Sequence, residues 1–522
     1  MSMFKQMFYS TLHGTIFFSL YWICVQCDYV TSDTNIYGIE WQYNIIPFTP
    51  ELIFLYAFLI LFIYSFINKM SSFDCVVAYI AIVNMVIVQY QRVLQAPKVR
   101  ISNKLWYNDA FSINIKIAIF ILILIVLIFM FVYSSKNDEV LLNFENMSII
   151  FLCAFGILIF ITSNHLFVMY LGIELQSLAL YILCCLKRFS NKSLEAGFKY
   201  YLYGSFSSAI MLFGISLLYG IFGSLNYKDV CFLINVTDFI GLNYMLLHFS
   251  LICILIGFLF KLAIFPFHWW LADIYEGSAD IITFFLAIVP KLPFFYVLYK
   301  LFLNIFSKYV FYIYLLTFCG LMSIIVGTLL ALYEIKLKKL LAYSSIVHMG
   351  YIIVAMAVGS KMGMIVSFYY FIIYIVVTIY IFSIFLVTKL LNNNTFRNVT
   401  DFVYLRNNNK WLSMFAIIAL LSMAGIPPLI GFYGKLYIFY ILIGTGNYYL
   451  CMTLLLLSIL SCIYYIRLIR FIFFDDKLYQ PMVFIKVQPV YLYYIVVCCF
   501  FTNLGFLFFQ EPLLVHVLLL FY

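Results

Sequence analysis

The chain has 522 residues, of which 66% are hydrophobic and only 10% charged, with a mean hydropathy of +1.08. A soluble domain carries roughly 25% charged residues, so no soluble enzyme or binding module forms the body of this protein. The net charge of +9 sits mostly in Lys and Arg flanking apolar runs, where it sets membrane topology rather than binding nucleic acid.

The apolar runs are continuous over ~20 residues instead of alternating, which predicts an all-α polytopic membrane protein and excludes a barrel. Residues 8–25 read as an extra N-terminal helix, followed by a polar stretch over 26–50 that lacks Lys and Arg. From there about fourteen core transmembrane helices are expected. They fall near 51–68, 76–92, 113–134, 148–163, 165–187, 199–223, 247–270, 279–303, 309–332, 338–358, 363–390, 411–443, 448–474 and 488–510. The seventh contains Pro266. The twelfth is too long for a plain span and contains Pro427-Pro428. Both are expected to be broken.

With the N-terminus inside, seventeen Lys and Arg fall on the inner side, nine on the outer, and four within or at the edge of spans. Lys116 is counted with the outer flanking set. This asymmetry orients the chain. The thirteen cysteines are scattered and read as small apolar residues, since a metal site needs about four clustered ligands.

Charges inside the spans carry the chemistry. Glu174, Lys261, Lys291 and Lys435 each lie within an apolar stretch. A charge at the bilayer centre costs about 2.5–3.5 kcal/mol on insertion scales. One glutamate does not neutralise three lysines, so a set of structural ion pairs does not account for them. A carboxylate ~8 Å from an ammonium at effective dielectric ~20 interacts by about 2 kcal/mol. Small movements therefore change proton affinity strongly. Lys199 follows Glu195 by four residues, a favourable helical pair, which leaves a structural and a proton-handling role both open. Pro266 and Pro427-Pro428 free backbone carbonyls that must find side chains or water, which predicts hydrated pockets beside Lys261 and Lys435. His348 and His268 are titratable groups on the same spans.

Charge and helix break recur five spans apart in reversed order: Lys261 before Pro266, then Pro427-Pro428 before Lys435. Two five-helix units of opposite topology produce such a pattern. The sequence has no Gly-rich phosphate loop, dinucleotide fingerprint, multi-cysteine cluster motif or haem-spaced histidine pair. No cofactor is expected in this chain.

Several segments carry a family resemblance. They are Leu171–Tyr181 (LGIELQSLALY), Ser193–Gly214 (SLEAGFKYYLYGSFSSAIMLFG), Gly257–Trp270 (GFLFKLAIFPFHWW) with Asp273–Gly277 (DIYEG), Val289–Lys291 (VPK), Lys338–Tyr351 (KKLLAYSSIVHMGY) and Leu421–Lys435 (LSMAGIPPLIGFYGK). Together they resemble the antiporter-like proton-pumping subunits of respiratory complex I, and most closely the NADH dehydrogenase subunit 2 family. The likeness runs from about 165 to 475.

The resemblance implies two inverted five-helix repeats (helices 4–8 and 9–13) with broken helices 7 and 12. It implies a proton relay in which Glu174 and Lys199 couple with Lys261, Lys291 is central with His348 beside it, and Lys435 leads outward. It implies flavin, iron–sulfur clusters and quinone in partner subunits. The partners are other membrane-arm subunits, both antiporter-like and small helical ones, together with membrane lipids. The location implied is the mitochondrial inner membrane, or alternatively a bacterial plasma membrane. The expected organisation is an N-terminal extension (1–50), core helices 1–3 (51–147), repeat one (148–303), repeat two (309–474) and a C-terminal helix (475–522). A cation/proton antiporter subunit and a purely structural membrane-arm subunit are the competing readings. Residues 1–50 have no counterpart in the family pattern.

Overall fold

Long apolar sequences without internal polar partners satisfy their backbone in lipid only as helices or closed barrels, and here they form helices. The computed structural model describes residues 49–68, 72–95, 105–134, 144–187, 190–236, 242–389, 397–403, 405, 410–474, 486–487 and 497. The helix expected at 8–25 lies outside the described residues, as does the span at 488–510 but for a single residue.

The helices are α1 (Thr49–Asn68), α2 (Ser72–Gln95), α3 (Ala110–Ser134), α4 (Phe144–Thr162), α5 (Leu166–Cys184), α6 (Asn191–Phe222), α7 (Tyr227–Val236) and α8 (Leu242–Lys261). They continue with α9 (Trp269–Gly277), α10 (Asp280–Ile288), α11 (Lys291–Asn304), α12 (Val310–Tyr333), α13 (Leu337–Ala357) and α14 (Lys361–Val387). The last are α15 (Lys410–Ala424), α16 (Ile430–Gly444) and α17 (Tyr448–Phe473). Ten helical segments among the described residues are long and apolar enough to cross a membrane. Strand structure there amounts to a two-residue antiparallel ladder and three isolated bridges, so the class is all-α.

The seventh expected span divides into α8 and α9 around a turn at 262–268, and the twelfth into α15 and α16 around 425–429. A third break, not anticipated, falls at Val289-Pro290 within the eighth span, where proline cannot continue the ladder of α10. Lys291 therefore begins α11. The short helix α7 was not anticipated either. The sixth span begins eight residues earlier than expected, at Asn191. At 1.5 Å per residue, its 32 residues span about 48 Å, well beyond a ~30 Å hydrocarbon core.

The centre of the bundle is the α10–α11 span, buried along its whole apolar window, with α13 beside it at 94%. By contrast α6 and α17 are only 33% and 28% buried and lie on the perimeter. Helices hydrophobic all round belong inside. Small residues let them approach: Gly320 and Gly327 of α12 face Gly350, Val354 and Val347 of α13. The α9 segment packs against both α6 and α13.

Lys116 is a correction. It is not an outer flanking charge but a fully buried residue of α3. Its Nζ lies 2.5 Å from Glu51 Oε1 of α1 and 2.6 Å from Asn108 Oδ1. Pairing and hydrogen bonding make this burial tolerable.

Candidate functional site

Three lysines and a histidine lie inside the bundle: Lys261 (8% exposed), Lys291 (4%), Lys435 (5%) and His348 (5%). None has a carboxylate within ion-pair distance among the described residues. Their partners are tyrosines and backbone carbonyls instead.

Lys291, at the start of α11, donates to Tyr374 Oη at 3.1 Å and stands 5.2 Å over its ring. Tyr374 and Tyr370 are one helical turn apart on α14 and so share a face. The Tyr374 ring lies 5.5 Å from the His348 ring. His348 Nδ1 is 2.8 Å from Tyr370 Oη, and Nε2 is 3.2 Å from Tyr465 Oη. A neutral imidazole has one donor and one acceptor nitrogen, so the two phenols are bridged with opposite polarity. The Tyr370 ring is 6.3 Å from Tyr351, and Lys435 Nζ stands 5.7 Å over Tyr351. Five helices thus contribute to one continuous line from Lys291 through His348 to Lys435. Beside Tyr374 lies a small void, about 10 Å³, lined by Tyr275, Ser344, Ser345 and Thr378, room for a single water.

At the first break, Lys261 ends α8, a position the helix dipole favours for a cation. Its Nζ donates to Tyr181 Oη at 3.2 Å. Gly204 on α6 leaves the space that the Tyr181 hydroxyl occupies. Glu174 stands two turns before Tyr181 on α5 and interacts with Lys261 through space. Its Oε1 is buried without a hydrogen-bond partner. The turn itself contains Ala263 at φ 56° and Pro266. The Phe260 carbonyl accepts from Trp270 Nε1 at 3.1 Å. His268 is buried at the N-terminus of α9, and its Nδ1 is unpartnered.

At the second break, Lys435 of α16 donates back to the Ala424 carbonyl, the end of α15, at 2.7 Å. Gly425 has φ +79°, and a Cβ there would lie 3.0 Å from Lys435 Cδ. Pro427 and Pro428 are exposed. At both breaks a side chain donates to a carbonyl at the helix end: Trp270 to Phe260, which also accepts from the Ala263 N–H at 2.9 Å, and Lys435 to Ala424.

Lys199 does not join Glu174. It lies at the inner end of α6, its side chain 35% exposed, paired with Glu195 at 2.7 Å and Asp273 at 3.1 Å. Asp273 and Glu276 of α9 form the hub of a charged network. Lys339 reaches both at 3.2 and 3.4 Å, Lys336 reaches Glu276 at 2.6 Å, and Lys338 pairs with Asp280 at 2.6 Å. Burial alone pushes both carboxyls up, but the hydrogen bonds from Lys199 and Lys339 to Asp273, and from Lys336 to Glu276, hold them below the usual carboxylate range.

Sequence reasoning missed the phenols at 181, 370, 374 and 465, the Glu51–Lys116 pair and the acidic hub. A chain with 45 tyrosines gives no signal as to which ones face a lysine. The one available signal for the hub was Asp273 and Glu276 falling between spans on an otherwise apolar turn.

The fold and this line of buried bases and phenols define a multi-pass helical membrane protein built around broken helices. Residues 163–461 match the transmembrane family described as NADH:quinone oxidoreductase/Mrp antiporter. NADH-ubiquinone oxidoreductase chain 2 of Marchantia polymorpha is 37% identical over 357 residues, covering 66% of this chain and 71% of the relative. NADH-quinone oxidoreductase subunit N of Pelagibacter ubique is 39% identical over 326 residues, covering 62% and 67%. A chain of respiratory complex I from Thermus thermophilus shares the fold, with TM-score 0.73 and 24% identity over 89% of this chain and 98% of that one. The protein belongs to the NADH:quinone oxidoreductase/Mrp antiporter family of membrane subunits. The matched region contains Glu174, Lys199, Lys261, Lys291, His348 and Lys435.

Proposed function

We propose that this chain is the antiporter-like, proton-translocating subunit of the membrane arm of a respiratory NADH:quinone oxidoreductase. Quinone reduction in other subunits drives it. The observation that carries this reading is the line Lys291–Tyr374–His348–Tyr370–Tyr351–Lys435, in which buried bases are joined by hydroxyl-bearing rings and, among the described residues, are ion-paired with no carboxylate. A line of purely structural charges would be paired, because an unpaired buried charge costs several kcal/mol.

In this reading Lys199 and the Asp273–Glu276 hub collect protons at the inner face. Glu174 and Lys261 form the coupling pair, with Tyr181 between them. Lys291 and His348 pass the proton centrally, and Lys435 releases it outward. Moving one charge against 100 mV costs about 2.3 kcal/mol. A change of a few ångströms in the Glu174–Lys261 separation supplies energy of that size. Pro266, Pro427 and Pro428 keep the two helices broken beside Lys261 and Lys435. The opposite placement of these lysines, before one break and after the other, supports the inverted repeats over 148–303 and 309–474. The described helices of 51–147 are core helices outside the repeats.

Flavin, iron–sulfur clusters and quinone belong to partner subunits, and this chain docks among other membrane-arm subunits. The mitochondrial inner membrane is its site, with 1–50 contacting a partner specific to its lineage. The two relatives, each more than a third identical, are named as oxidoreductase subunits, which favours this reading over a free-standing antiporter. Lys291→Met in the assembled complex tests it. NADH-driven proton uptake into vesicles is expected to collapse, with loss of coupled quinone reduction. Wild-type pumping in that variant would remove Lys291 from the relay.

A further inference from the structure

At the outer end of the bundle, away from the relay, a cavity of about 490 Å³ opens between the start of α3, the turn before α5, helix α7 and the end of α11. Two lysines face it. Lys228 stands 5.0 Å from the centre of the Tyr107 ring, and Lys300 stands 5.5 Å from the same ring and 5.4 Å from Tyr227. Lys300 also donates to the Ser163 carbonyl at 3.3 Å. Among the described residues neither ammonium forms an ion pair. Among the described residues, Asp109 is the one acidic residue lining the cavity. Two cations gathered on one ring repel each other, and an anion between them converts that repulsion into attraction.

The lining also suits an amphipathic ligand. Asn235 and Asn304 bring amide donors. Phe232 (64% exposed) and Leu303 (42%) form an apolar mouth. Helix α7 is pinned there by Lys308, whose Nζ donates to the Cys231 carbonyl at 2.7 Å. Two ammoniums on one aromatic ring offer paired donors to the oxygens of a phosphate group.

We infer that this cavity binds a phosphate-bearing headgroup of the outer leaflet. Lys228 and Lys300 hold the phosphate oxygens, Asn235 and Asn304 donate beside them, and Phe232 and Leu303 receive the first acyl carbons. The site is separate from proton translocation, and its occupant anchors α7 to the end of α11.

The test uses the purified, delipidated complex in detergent, with the rate of amine labelling at Lys228 read by mass spectrometry. Phosphatidylglycerol is expected to slow labelling about tenfold, the worth of a charge-assisted hydrogen bond, whereas diacylglycerol, which lacks the phosphate, leaves it unchanged. Protection by phosphatidylglycerol alone assigns a lipid, and equal protection by inorganic phosphate assigns a free phosphate. Lys300→Gln and, on the exposed face of α7, Asn235→Ala are each expected to weaken protection. If Lys300→Gln fails to assemble, the comparison of phosphatidylglycerol with diacylglycerol on the wild-type complex decides alone. Labelling that is the same with phosphatidylglycerol, diacylglycerol and inorganic phosphate overturns the inference.

Discussion

His348 Nδ1 lies 2.8 Å from Tyr370 Oη, and the same ring reaches Tyr465 through Nε2 at 3.2 Å. Phenols at both nitrogens hold the imidazole ring in one orientation, and each hydroxyl can donate to it or accept from it. This contact joins the Lys291 side of the bundle to the Lys435 side.

Tyr370→Phe removes the hydroxyl and leaves a buried imidazole nitrogen unpaired. The cost is about 1–3 kcal/mol in stability. Pumping per NADH oxidised is expected to fall while the complex still assembles. Proton uptake by vesicles, normalised to NADH oxidation, measures it. An unchanged ratio removes Tyr370 from the relay.

Gly425→Ala meets two obstacles, the left-handed backbone and the stem of Lys435 at 3.0 Å. The backbone alone costs roughly 1–2 kcal/mol. A lowered thermal midpoint together with impaired pumping is expected. Gly444→Ala at the end of α16, where nothing lies within 4 Å of the added carbon, serves as the silent control.

Glu51→Gln and Lys116→Met each break a buried ion pair and are expected to destabilise by about 3–5 kcal/mol. The double variant Glu51→Gln/Lys116→Met is expected to recover most of that loss. Thermal unfolding of the four forms gives the coupling. Additive losses would show that the two side chains do not interact.

The acidic hub makes the inner face sensitive to acid. Asp273 and Glu276 have depressed pKa values in the folded chain. The contacts they support are therefore complete above the ordinary carboxyl values of 3.8 and 4.5 and are lost as pH falls below them. Hydrogen exchange over 269–280 is expected to quicken between pH 6 and pH 3. Glu276→Gln is expected to exchange faster already at pH 6 and to respond less to acid. Exchange independent of pH, after correction for its intrinsic rate, would remove the hub from this role.

Much of the site was legible because charge inside a long apolar run is costly and hence conspicuous. Lys261, Lys291 and Lys435 are buried where the spans placed them, and both proline-marked breaks fall beside a lysine. The pairing of Lys199 with Glu195 was legible from helical spacing, whereas Asp273 lies on another helix and meets Lys199 only in the fold. Lys116 was misread because a lysine three residues inside a span looks the same in sequence whether it snorkels to water or turns inward to Glu51. The break at Val289-Pro290 was passed over because an apolar window absorbs a single proline without losing hydropathy.

By itself the sequence determined that this chain is a bundle of membrane helices, where two of them break, and which charges are forced into the interior. These follow from local physics: hydropathy, proline's missing N–H and the cost of dehydrating a charge. Only the tertiary structure decided which partners those charges have. Lys291 meets Tyr374 across 83 positions of chain, His348 meets Tyr465 across 117, and Lys116 meets Glu51 across 65. Partnership over such separations depends on which helix faces pack together, and no local pattern in one helix specifies the face of another.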